Sequence, residues 1–95
     1  LLPVAIANVA LGGSFIGDTV GFSSVTHDGT GLYTLTLTDT PGSLSNIIAV
    51  VTLRSGNAPM AATYSMGAPN LIHVDIFDAT GTLADRDFSV VVYNS

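Results

Sequence analysis

The clearest pattern in the chain is "GLYTLTLTD", where Tyr33, Leu35 and Leu37 alternate strictly with Thr34, Thr36 and Thr38. A period of two sends successive side chains to opposite faces of an extended strand, one apolar and one hydroxylated. The stretch "VGFSSV" leads into it through "THDGTG". Asp-Gly between alternating hydrophobics predicts a hairpin, because a type I′ turn needs positive φ at both central residues. Centring the turn on Asp28-Gly29 pairs Val20 with Leu37, Phe22 with Leu35 and Ser24 with Tyr33. One face is then apolar and the other polar, so register and pattern agree.

The rest of the chain reads the same way. "PVAIANVAL" and "SFIG" supply one or two strands at the front. "IIAVVTL" (47–53) is apolar on both faces, which suits a strand covered on both sides or one lying at a subunit interface. "MAATYSM", "LIHVDIF" and "RDFSVVVYN" follow, separated by "RSGNAP", "GAPN" and a further turn, while "TDTPGSLSN" turns about Pro41-Gly42. No window shows sustained helical periodicity, and turn residues recur about every eight to twelve positions. The pattern predicts an all-β chain of seven or eight strands, an antiparallel β-sandwich.

Four of the seven aspartates fall in "HVDIFDATGTLADRDFSV". A three-residue loop, Ala79-Thr80-Gly81, fits a type I turn followed by a left-handed glycine, with Asp78 at the first turn position. Continuing the hairpin places Phe77 opposite Leu83, Ile76 opposite Ala84 and Ile72 opposite Phe88. It also places His73 opposite Asp87 and Asp75 opposite Asp85, so two carboxylates repel unless something relieves them. Asp75, Asp85 and Asp87 are therefore the candidate ligands for a structural Ca2+. That ion wants about six to eight oxygens, and the spacing lacks the EF-hand pattern. A solvated polar hairpin face is the reading preferred here.

Composition changes the picture chiefly through charge. Only 9% of the 95 residues are charged, with no Lys, no Glu and no Cys, against about 25% charged in an ordinary soluble domain. Hydrophobic residues make up 47% of the chain, and its mean hydropathy is +0.56. Surface charge ordinarily keeps a monomer dispersed, so a chain without it is expected to bury surface in an assembly. A net charge of −5 with two arginines argues against nucleic acid. The longest purely aliphatic run, "IIAVV", is too short to span a bilayer as a helix. The length corresponds to one domain, residues 1–95, and the opening "LLPVAIANVA" suggests the C-terminal part of a longer chain.

No stretch carries an enzyme signature. "GFSSV" lacks the glycines of a nucleophile elbow, and "LGGSFIGDTVG" lacks the Lys-Ser/Thr ending of a phosphate loop. His27 flanks a tight turn as a surface residue or ligand contact. Tyr64 and Asn70, in "AATYSMGAPN", are the remaining candidates for ligand binding, since loops on rigid β scaffolds carry recognition. Tyr33, on the apolar face of its strand, is expected in the core.

"GTGLYTLTL", with Gly31 and Tyr33 opening a hydrophobic strand, and the terminal Asp85, Asp87, Phe88, Val90 and Val92 resemble two groups. These are the small C-terminal β-sandwich domains of phage tail fibres and, more distantly, the jelly-roll heads of C1q-like proteins. The resemblance implies a jelly-roll sandwich, a homotrimer at the end of a stalk and a non-enzymatic attachment role toward a host-surface glycan or protein. It implies a location on the virion surface or outside the cell. The alternatives are a capsid decoration or assembly protein bound to coat proteins, and a secreted bacterial carbohydrate-binding module.

Overall fold

The computed structural model describes residues 3–38, 47–54, 61–67 and 70–94. These residues form eight strands and no helix. They are β1 (Pro3–Ala10), β2 (Ser14–Phe15), β3 (Phe22–Gly29), β4 (Leu32–Leu37), β5 (Ile47–Leu53), β6 (Ala61–Gly67), β7 (Leu71–Phe77) and β8 (Phe88–Asn94). The expected turns "TDTPGSLSN" and "RSGNAP" lie largely outside the described residues, as does part of "GAPN".

Two antiparallel sheets result, one ordered β2-β1-β8-β5 and the other β3-β4-β7-β6. Alternation decides which side of each sheet is buried. Ala5, Ala7, Val9, Phe88, Val90 and Val92 from the first sheet join Tyr33, Leu35, Leu37, Ile72, Val74 and Ile76 from the second in one core. No polar or charged side chain is buried among the described residues. Tyr33 belongs to the core, as its strand pattern predicts. It packs edge-on against Phe88 of the opposite sheet, with ring centroids 5.0 Å apart.

The β3–β4 hairpin exists, but its register differs from the expected one. Phe22 pairs with Leu37, Val25 with Leu35, His27 with Tyr33, and Gly29 with Leu32. The two-residue turn is thus Thr30-Gly31, and Gly31 takes the left-handed conformation at φ 71°. Strict alternation failed here because the register shifts twice, between Phe22 and Ser24 and again between His27 and Gly29. Each shift reverses which parity faces inward, so Phe22 and Val25 both contribute to the core despite their odd separation.

The 78–82 turn forms as expected, with Asp78 and Thr82 paired through the backbone and Gly81 at φ 81°. Phe77 meets Leu83 in an isolated bridge, and Ala84 N–H donates to Ile76 O at 2.9 Å. There the expected hairpin ends. The chain leaves β7 and crosses to the other sheet, where Phe88 lies opposite Val9 and Leu53 and not opposite Ile72. Crossing puts Phe88, Val90 and Val92 between β1 and β5, where all three are fully buried. Phe77 and Leu83 are both half-buried.

Candidate functional site

Two polar groupings stand out, both organised by the β3–β4 hairpin. The first closes one end of the molecule. Gly31 sits where a side chain would collide with the backbone, since a Cβ there would lie 2.7 Å from Ile76 O and 2.8 Å from Ala84 N. That close approach brings the 84–87 segment over the turn. Asp85 Oδ1 then accepts from Gly31 N–H at 2.6 Å and contacts His27 Nε2 at 2.8 Å. The Tyr33 hydroxyl donates to Leu11 O at 2.7 Å, and its 3.3 Å contact with Asp85 is the weaker of the two. His27 stacks on Tyr33 at 4.9 Å between centroids. Asp87 accepts from Leu11 N–H at 2.8 Å, tying the 11–21 loop to the same end.

The electrostatics of this end are those of a structural clasp. The Gly31 N–H holds the Asp85 carboxyl below its ordinary value, helped by His27, against an opposing effect of burial. Burial pushes the Tyr33 phenol up to about 12, and the charge of Asp85 adds to the shift. Asp85 is therefore a weak base and Tyr33 a weak acid near neutral pH.

The second grouping lies on the outer face of the β3-β4-β7-β6 sheet. Thr26, Thr34, His73 and Ser65 are successive cross-strand partners. Thr26 Oγ1 donates to Asp28 Oδ1 at 2.9 Å, Thr34 Oγ1 donates to Asp28 Oδ2, and Thr34 Oγ1 lies 3.0 Å from His73 Nδ1. With the threonine proton committed to Asp28, the His73 Nδ1 is the donor in its contact. A nucleophilic triad places the imidazole between hydroxyl and carboxylate. Here the hydroxyl stands in the middle, between carboxylate and imidazole, so the row lacks the order of such a triad.

The expected site residues disperse. His27 joins Asp85 at the clasp. Asn70 lies at the far end of β4, where its Nδ2 donates to Leu37 O at 2.7 Å and its own carbonyl accepts from Leu37 N–H. Tyr64 is within β6, opposite Val74, and is 39% exposed. The three do not converge on one pocket. Asp75 faces Leu32 and Thr63, Asp85 the clasp, and Asp87 the Leu11 amide, so the expected Asp75–Asp85 and His73–Asp87 oppositions do not occur. The crossing of the chain after Ala84 separates them. Among the described residues no three His, Cys, Asp or Glu side chains gather closely enough to hold a metal ion. Sequence reasoning missed the Thr26–Asp28–Thr34–His73 row. The alternating threonines were its only signal, and the placement of β7 beside β4 was not readable.

No family model matches the chain, and neither a curated protein nor a solved structure matches it.

Proposed function

We propose that this chain is a non-enzymatic β-sandwich module of jelly-roll type that assembles with its own copies and presents a polar face to a host-surface glycan or protein. In this reading it is the attachment tip of a trimeric virion fibre. The observation that carries it is the contrast between the two outer faces. One bears the Thr26–Asp28–Thr34–His73 row. The other, formed by β1, β8 and β5, contains no charged residue at all. A face without charge, built from an apolar band and the neutral Asn8–Ser89–Thr52 row, suits permanent contacts, and a row of hydroxyls, a carboxylate and an imidazole suits a hydroxylated ligand. The adjacency of β1 and β8, the first and last long strands, is one feature of jelly-roll wiring, while the in-sheet hairpins β3–β4 and β6–β7 depart from it.

Binding to an immobilised glycan panel tests the attachment role. Wild-type protein is expected to retain a subset of glycans that Asp28→Ala and His73→Ala lose at unchanged solution mass. Retention unaffected by both changes removes the polar row from the account. Failure to bind any glycan, combined with binding to assembled coat protein, would favour the decoration reading.

A further inference from the structure

Of the four sheet edges, two carry devices that discourage pairing with another chain. β2 has only two residues, and β3 is interrupted by two register shifts and bears His27 and Asp28. β5 has none of these. It pairs with β8 over seven consecutive residues without a shift, holds neither proline nor charge, and no described strand is hydrogen-bonded to its other side.

The direction of its backbone groups can be read from one hydrogen bond. Arg54 N–H donates to Asp87 O at 2.9 Å, continuing the β5–β8 register by one pair. In an antiparallel ladder the hydrogen-bonded residues alternate. Thr52, Val50 and Ile48 therefore bond to β8, and Ile47, Ala49, Val51 and Leu53 aim their N–H and C=O groups away from it.

We propose that β5 pairs antiparallel with β5 of a second copy, on a twofold axis at Val50. That register alone satisfies all four outward residues: Ile47 with Leu53 of the partner, Ala49 with Val51, and the reverse. A slip of two residues along the strand leaves at least one of the four without a partner. Val50 then faces its own copy, and Ile48 faces Thr52. The outer rows also match. Val20, Ile6, Val91 and Val50 are successive cross-strand neighbours, so pairing joins two apolar bands across the axis with no like charges opposed. β6 is the rival edge on the same side of the molecule. Ile76 N–H donates to Gly31 O, toward β4, and by the same alternation β6 offers only Ala62, Tyr64 and Met66. Its sheet carries the polar row and not an apolar band. The pairing rests on the self-association proposed above, and it produces a twofold pair where the fibre-tip reading expects a trimer.

The chain contains no cysteine, so single-cysteine variants report directly on the register. Directly opposed non-hydrogen-bonded residues have Cα atoms about 4.5 Å apart, within disulfide reach. Under oxidised glutathione, Val50→Cys is expected to form a covalent dimer, as is the double variant Ile48→Cys with Thr52→Cys; Val20→Cys is not. Val51→Pro removes an edge N–H without touching the β8 ladder and is expected to lower the solution mass to one chain. Val50→Lys, on the exposed face, should do the same if the proline variant fails to fold. Cross-linking of Tyr64→Cys in place of Val50→Cys overturns the pairing. A wild-type oligomer unchanged by Val51→Pro and Val50→Lys overturns it too, while self-association stands. A wild-type monomer at every concentration overturns both.

Discussion

Asp85, Asp78 and Tyr33 give this small domain its pH limits. The Thr80 hydroxyl and the Thr80 and Thr82 amides hold the Asp78 carboxyl below its ordinary value, as the Gly31 amide does for Asp85. The unfolded chain regains ordinary carboxyls, so it binds protons first as pH falls below about 4. The stabilisation is complete above that value and is lost as pH drops through the lower folded values. Thermal unfolding across the acid range should show this decline, and Asp85→Asn should flatten it. Tyr33 has the opposite limb. Its phenol is raised to about 12 in the folded chain, against about 10 when unfolded. Stability is then full below pH ~10 and falls as pH rises toward the folded value. Tyr33→Phe should remove that alkaline loss at a cost of about 0.5–1.5 kcal/mol at neutral pH, for the lost bond to Leu11 O.

Among the elements, the two hairpin turns separate conformational strain from collision. Gly81 and Gly31 both adopt positive φ. Nothing lies within 4 Å of a Cβ at Gly81, whereas a Cβ at Gly31 meets the backbone of Ile76 and Ala84. Gly81→Ala should therefore cost about 1–2 kcal/mol, the left-handed penalty alone. Gly31→Ala should cost clearly more and also disturb the Asp85 clasp, read as a larger fall in Tm and loss of its acid limb. The same two turns mark how far the sequence could be read. Gly81 was legible because loop length, Asp78 and the flanking apolar residues agree on one register. Gly31 was not, because Asp28-Gly29 is the stronger local signal and the two register shifts that move the turn leave no trace in the alternation. The crossing after Ala84 was invisible for a related reason. Phe88, Val90 and Val92 fit either sheet by pattern, and only the place between β1 and β5 decides it. Pairing of Asp75 with Asp85 failed with that crossing, and the site residues scattered with it.

At the scale of the whole molecule, charge separates the two faces, since β1, β5 and β8 hold none. Val4, Ile6, Val20, Ile48 and Val50, each 44–62% exposed, lie on the outer side of the first sheet or at its margin. The outer side of β1, β8 and β5, strands of eight, seven and seven residues that include the polar Asn8, Ser89 and Thr52, projects on the order of 350 Å2, so its apolar part does not exceed the ~300–600 Å2 of the largest apolar patch on a typical monomer. Its distinction is the lack of any charge in β1, β5 and β8, and pairing at β5 would double its extent. Because each copy carries a net charge of −5, added salt should screen repulsion between copies and tighten association. An interface held by ion pairs would respond in the opposite sense.

Solution mass by multi-angle light scattering, over a concentration series and in EDTA and then millimolar calcium, tests self-association most directly. The account predicts more than one chain per particle, with the same mass in both solutions and a higher association constant at raised sodium chloride. A particle of one chain at all concentrations, or an assembly that forms only with calcium, would contradict it.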